Sequence, residues 1–357
     1  MKCYVRIFMV CALFVISIHG KINQQKPIKV TVIGATGGVG QPMSLLLKEN
    51  TLISELALWG DARGGIGKIP GIAADLSHIS TPVKVLGYSG PGNISAALQN
   101  ADVVVIPAGV ARKKGMSRQE LFKANAEILR DIAVKISTVC PKALIAIITN
   151  PVNSGVPVVS EVLKKQGTYD PNRIFGVTTL DIVRAQTFIG DEMNVSPLEV
   201  NVPVIGGHSD ESIIPVLSQT HLNSVPKKAL TLPKFEELTK RIQVAGSEIV
   251  TAKNGDGSAT LSTAYAATRF VNALVEALTG DPNVFEYAYV RSNVTTAKYF
   301  STRLKLGKNG IEKIFGIPEL NEFEKKLLHE AIPLLQKDIE AGEKYVKEEQ
   351  ITTKNLQ

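Results

Sequence analysis

Cysteine is almost missing from the body of this chain. Of three cysteines, Cys3 and Cys11 sit at the extreme N-terminus, leaving Cys140 alone in all that follows. One thiol closes no internal disulfide and builds no cysteine-based metal site, so a disulfide-stapled or zinc-cysteine module is excluded. Cys140 reads as a small, buried, inert residue, and no metal is implied. Long apolar runs are also missing: nothing in the body reaches the roughly 20 residues that span a bilayer. Acidic residues are absent before Glu49, and this accounts for much of the net charge of +7. Lys2, Arg6, Lys21 and Lys26 supply four of those seven charges. The three left over are too few for a surface that tracks nucleic-acid phosphates. With 44% hydrophobic and 20% charged residues, the composition is that of a globular protein. A length of 357 residues suits one large or two medium domains.

The first 26 residues differ from the rest. Lys2 and Arg6 precede an apolar stretch from Ile7 to Val15, and small or polar residues (Ser17, His19, Gly20) follow. That is the layout of a secretory signal peptide rather than of an Arg-rich amphipathic transit peptide. From Pro27 strand and helix patterns alternate. Strands are expected at 28–33, 56–59, 102–108 and 144–149, with helices at 43–48 and 118–139. Near-continuous apolar strands separated by helices indicate a parallel sheet buried on both faces. Long helices (233–253, 259–279 and 322–347) and short strands near 200–205 and 286–290 fill the second half. The expected architecture is α/β: a doubly wound parallel sheet with an α+β domain packed behind it, divided near Pro171.

Four local patterns carry chemistry. Gly34-Ala35-Thr36-Gly37-Gly38-Val39-Gly40 follows the first strand and opens a helix. Glycines there allow a tight turn and close approach of a pyrophosphate to the helix N-terminus. An acid, Asp61, closes the second strand, where an acceptor for ribose hydroxyls belongs. Such a loop alone can also be a ligand-free turn, and its spacing is GxxGxxG, not GxGxxG. The second pattern is the basic loop from Val110 to Arg118, with Arg112 and Arg118 six apart. It leaves the carboxyl end of a strand, so the arginines are placed to grip carboxylates rather than to solvate a surface. Third, Asp181 and Arg184 are three apart and share a helix face, either as a surface ion pair or as part of a site. Fourth, His208 follows a β-branched strand and two glycines. An Asp–His pair orients an imidazole and leaves its second nitrogen free for a proton.

Taken together these stretches resemble the malate dehydrogenases of the mitochondrial and enterobacterial branch of the lactate/malate dehydrogenase superfamily. The likeness runs from about Ile28 to Lys347 and includes Gly34 to Gln41, Ala73 to His78, Val103 to Gly109, Ile148 to Asn153, Ile174 to Ala185, Asn201 to His208 and Gly257 to Ser262. It implies a Rossmann-type domain over residues 27–172 binding NAD, and a substrate domain over 173–357. It also implies a small dicarboxylate substrate, malate or oxaloacetate, and a homodimer, with no nucleic-acid or membrane partner for the mature chain. By the same resemblance His208 takes the hydroxyl proton, Asp181 holds its tautomer, and Arg184 clamps the C1 carboxylate. Arg112 binds the distal carboxylate, Arg118 helps to position the substrate, and Asn150 touches substrate and nicotinamide. The cofactor would meet the loop Gly34, Ala35, Thr36, Gly37, Gly38, Val39 and Gly40, then Asp61, Asn125, Ile148, Thr149, Asn150 and Thr263.

Three departures from the family pattern stand out. Leu58-Trp59-Gly60-Asp61 replaces Leu-Tyr-Asp, moving the acid one residue later, and a glycine-rich insertion, 63–68, follows. Ala111 and Lys114 stand where prolines are common in the mobile loop, and Thr263 replaces a methionine near the nicotinamide. Two alternatives compete. A lactate-type 2-hydroxyacid dehydrogenase carries an uncharged residue where Arg112 stands, and a second carboxylate without a cation would cost several kcal/mol to bury. A non-catalytic nucleotide-binding protein would have lost a catalytic group, whereas all are present here. The resemblance points to the mitochondrial matrix, against the secretory look of the leader and the acceptor triplets at Asn93, Asn194 and Asn293. On either route the mature N-terminus is expected between about Gly20 and Pro27.

Overall fold

Strand β1 (Ile28–Ile33) is a β-branched run, IKVTVI, with all but one residue buried. Such a strand needs cover on both faces, which a computed structural model of the chain supplies; it describes residues 27–61, 68–110, 118–224 and 234–354. Helix α1 (Gly40–Lys48) follows, then β2 (Ile53–Gly60), α2 (Lys68–Ser77), β3 (Lys84–Ser89), α3 (Ile94–Leu98) and β4 (Val103–Ile106). The long α4 (Arg118–Val139) leads to β5 (Leu144–Ile147), α5 (Val152–Lys165) and β6 (Ile174–Val177). These six strands are parallel, in the order β3-β2-β1-β4-β5-β6. Strand order reverses between β1 and β4, the place where open α/β sheets bind ligands at strand carboxyl ends.

Beyond β6 come α6 (Thr179–Met193), the short strands β7 (Val200–Asn201), β8 (Val204–Gly206), β9 (Ile213–Pro215) and β10 (His221–Leu222), then α7 (Phe235–Ala252) and α8 (Leu261–Thr279). Strands β11 (Val284–Arg291), β12 (Tyr299–Gly307) and β13 (Gly310–Ile314) precede the terminal α9 (Glu322–Lys354). Among the described residues, most strands of the second half join the first sheet, and only β7 and β10 pair apart from it. Ala288 of β11 pairs antiparallel with Val177 of β6, so one sheet of 11 strands runs through the molecule. The reason is the bare edge of β6, whose N–H and C=O groups need partners; β11 and β12 complete it, and β8 and β9 extend it.

Period-2 alternation sends side chains to opposite faces. Val104 and Ile106 join a core that includes α4, α5 and α9, while Val103 and Val105 join another with α1 and α8. A third, smaller core gathers α6, α7 and the short strands. Helix α4 begins and ends as expected from sequence, whereas the expected strands at 102–108 and 144–149 are shorter, four residues each. Residues just past those strands leave the ladder to build the site. Among the described residues no helix is long and apolar enough to cross a membrane.

Candidate active site

The glycine loop turns because only glycine fits. Gly34 has φ +102°, and a Cβ there would lie 2.7 Å from the Ala108 Cα. Its N–H and that of Ala35 both donate to Trp59 O, at 2.9 and 3.0 Å, tying β1's end to β2. Ala35 is fully buried, its methyl group packed under the turn. Gly40 opens α1 so close to Gly34 that a side chain would strike its carbonyl. Gly37 and Gly38 are left as exposed backbone at the crest, with Val39 at the helix cap.

Gly34, Thr36, Gly37, Gly60 and Asp61 line one side of a cleft of about 570 Å³; Pro107 to Gly109 and residues of α4 line the other. Strand β2 runs one residue further than expected, with Gly60 still paired to Ser89 of β3. Asp61 is thus the first residue beyond the strand. Trp59 packs into the core and donates its indole N–H to Gly90 O at 3.0 Å. Apart from Lys68, the glycine-rich insertion is outside the described residues.

A second and larger cleft, about 1260 Å³, gathers Ile148, Asn150, Arg184, His208 and Thr263 with residues of α7 and α9. His208 Nδ1 is 2.6 Å from Asp181 Oδ2. A carboxylate only accepts, so Nδ1 carries the hydrogen, and in the neutral imidazole that leaves Nε2 as the nitrogen with the lone pair. Asp181 is completely buried, and its other oxygen faces Arg184 Nη1 at 3.9 Å. Burial draws the Arg184 guanidinium below its ordinary range, opposed by Asp181 and Glu248, which favour the cation. A cation so enclosed is suited to an incoming carboxylate.

The remaining expected residues are placed as follows. Asn125, expected to touch the cofactor, is 2% exposed. Its carboxamide accepts from Val110 N–H at 2.7 Å and donates to Val110 O and to Asn150 O at 3.2 and 2.7 Å. It braces the backbone that carries the site. Thr149 is likewise buried, with its hydroxyl on Ala108 O at 2.6 Å. Thr263 bonds Ala259 O and borders the larger cleft. Arg118 is the first residue of α4. Arg112, with Ala111 and Lys114, lies outside the described residues.

Sequence reasoning missed Asn153, which lies beneath His208, and Asp338 on α9, which borders the larger cleft. The signal for Asn153 was faint: a polar residue in the first turn of a helix whose first half is otherwise small or apolar, VNSGVPVV. For Asp338, some 130 residues downstream of His208 (a separation only the fold closes), there was none. Among the described residues no group of three His, Cys, Asp or Glu side chains could hold a metal ion. Cys140 is buried, and burial pushes its thiol up to about 12.

A parallel sheet in this strand order, a glycine cradle at its reversal point and an Asp–His pair facing a cleft are the parts of a dinucleotide-dependent oxidoreductase. Comparison with known proteins gives the family. The NAD-binding domain of lactate/malate dehydrogenases matches residues 28–176, and their alpha/beta C-terminal domain matches residues 178–346. The chain belongs to the lactate/malate dehydrogenase family. It is 52% identical to the mitochondrial malate dehydrogenase of Felis catus over 325 residues, covering 91% of this chain and 94% of that one. It is 51% identical to that of Homo sapiens with the same coverage. Among solved structures, the malate dehydrogenase of Picrophilus torridus superposes with a TM-score of 0.76 at 26% identity, covering 90% of this chain and 99% of that one. The lactate dehydrogenase of Cryptosporidium parvum, complexed with lactic acid and nicotinamide adenine dinucleotide, gives 0.74 at 25% identity, covering 88% and 98%.

Proposed function

We propose that the chain interconverts malate and oxaloacetate, with NAD as the redox partner and His208 as the proton-transferring group. The observation that carries this reading is the buried Asp181–His208 pair beside Arg184 in one cleft. NAD, when bound along the glycine loop, would supply the acceptor for the hydride leaving C2 of malate. His208 Nε2 takes the proton of the C2 hydroxyl, and in the reverse direction returns it. Asp181 holds the imidazole by Nδ1 and stabilises the imidazolium that forms. Arg184 grips the C1 carboxylate and Arg112 the distal one, with Arg118 assisting. Exclusion of water strengthens each of these contacts.

The cofactor role falls to Gly34, Thr36, Gly37, Gly38, Val39, Gly40 and Asp61, with Asn150, Ile148 and Thr263 near the nicotinamide. Asn125, Thr149 and Ala35 act by shaping the backbone under it. The division we assign is 27–172 for the cofactor and 173–357 for the substrate. The mature protein works in the mitochondrial matrix as a homodimer. Two observations support these readings: the name of its relatives, and the exposed Leu45, Leu261 and Tyr265 on the mutually packed α1 and α8.

Lactate-type activity is the alternative, since the chain superposes on lactate and malate dehydrogenases alike; in our reading Arg112 makes the choice. A steady-state assay crossing oxaloacetate and pyruvate with NADH and NADPH tests the reading. Fast NADH oxidation with oxaloacetate alone is expected; preference for pyruvate, or no turnover, overturns it.

A further inference from the structure

The backbone N–H of His208 finds its acceptor outside its own loop. It donates to the side-chain Oδ1 of Asn153, the second residue of α5, at 2.8 Å. Asn153 is 1% exposed. Its Nδ2 meets Ser209 Oγ at 2.9 Å, Ser212 Oγ at 3.3 Å and Asp338 Oδ2 of α9 at 3.0 Å. One carboxamide therefore joins three distant parts of the chain: the start of α5, the His208 loop and the terminal helix. The fit is close, since a Cβ on Gly207 would lie 2.8 Å from Asn153 Oδ1 and 2.5 Å from Leu335.

We infer that Asn153 is a positioning residue for His208, fixing the backbone of the imidazole as Asp181 fixes its ring. The inference rests on the role given to His208 above. A histidine ring swings about its Cα–Cβ bond, and Asp181 restrains only one nitrogen of it. The origin of that swing is set by the peptide plane, and Asn153 holds the plane through the N–H. Asparagine is the side chain that suits the place. It presents an acceptor to a peptide N–H and donors to the Asp338 carboxylate from the same planar group. Alanine would leave a part-buried N–H without this acceptor, and aspartate would set two carboxylates against each other.

The test uses the full chain with malate and NAD, with thermal melts on each variant. Asn153→Ala should lower kcat about 10- to 100-fold while KM for NAD changes less than about threefold, the pattern of a misplaced proton acceptor. Asn153→Asp should also lose kcat, and Asp338→Asn added to it should restore kcat to within about fivefold of the parent, because acceptor and donor have exchanged places. A folded Asn153→Ala protein with kcat within about twofold of the parent overturns the inference. So does a folded double variant as slow as Asn153→Asp alone, which decides the matter where Asn153→Ala fails to fold. His208→Asn separates the two readings. Full activity there overturns the role of His208, whereas an inactive His208→Asn beside a fully active Asn153→Ala overturns only the role of Asn153.

Discussion

His208 and Asp181 are 27 residues apart in the chain, yet Nδ1 and Oδ2 stand 2.6 Å apart. Asp181 comes from the first turn of α6 and His208 from the loop after β8. His208→Asn should cut oxaloacetate turnover by roughly 10² to 10⁴, the usual worth of a general acid–base. Asp181→Asn keeps an acceptor for Nδ1 but loses the charge that steadies the imidazolium, and a loss of the same order, roughly 10² to 10⁴, is expected. NADH binding, followed by fluorescence titration, should change little in both. Near-normal turnover in either variant removes that residue from the role assigned to it.

Arg112 should decide which acid is used. Arg112→Gln removes the cation for the distal carboxylate while keeping the loop length. Oxaloacetate should lose several kcal/mol of transition-state binding, and pyruvate little or none. The comparison is kcat/KM for both acids with NADH. An unchanged preference for oxaloacetate assigns discrimination elsewhere.

Asp61 should select NAD over NADP, because a carboxylate beside the ribose repels a 2′-phosphate. It lies one residue beyond Gly60, at the rim of the cofactor cleft. Asp61→Ser should narrow the NADH preference by about tenfold, mainly through KM for NADPH. A parent enzyme that uses NADPH as well as NADH contradicts the assignment.

The leader should be absent from the mature protein, since residues before Ile28 precede the first strand. Intact-mass analysis of native material should place the N-terminus between about Gly20 and Pro27, with no added sugar. An N-glycosylated form would place the protein in the secretory pathway instead, and an uncleaved leader would defeat both routes.

Much of the fold was legible because local chemistry and global topology agree here. Apolar β-branched runs such as IKVTVI and VVVI can be buried only in a sheet covered on both faces. Helix α4 was readable from its 22-residue amphipathic pattern. Strands β12 and β13 were not read, nor was α5 recognised as a helix: its valines are β-branched, and Gly155 and Pro157 stand inside it, all residues that argue against a helix interior. The bracing contacts of Asn125 with Val110 and Asn150 were not legible either, since they join residues 15 and 25 positions apart.

The sequence by itself determined which chemistry this protein can carry. A histidine after two glycines, an acid three residues from an arginine and a glycine turn after a strand are covalent facts, read without a fold. Tertiary structure decided what each of them faces. Pairing of β11 with β6 joined two halves into one sheet, because an open strand edge must find partners. Packing of α6, α5 and α9 around the His208 loop set Asp181 on its ring and Asn153 on its backbone. Contacts between residues 27, 55 and 185 positions apart arise from the closure of a common core. No local pattern encodes them.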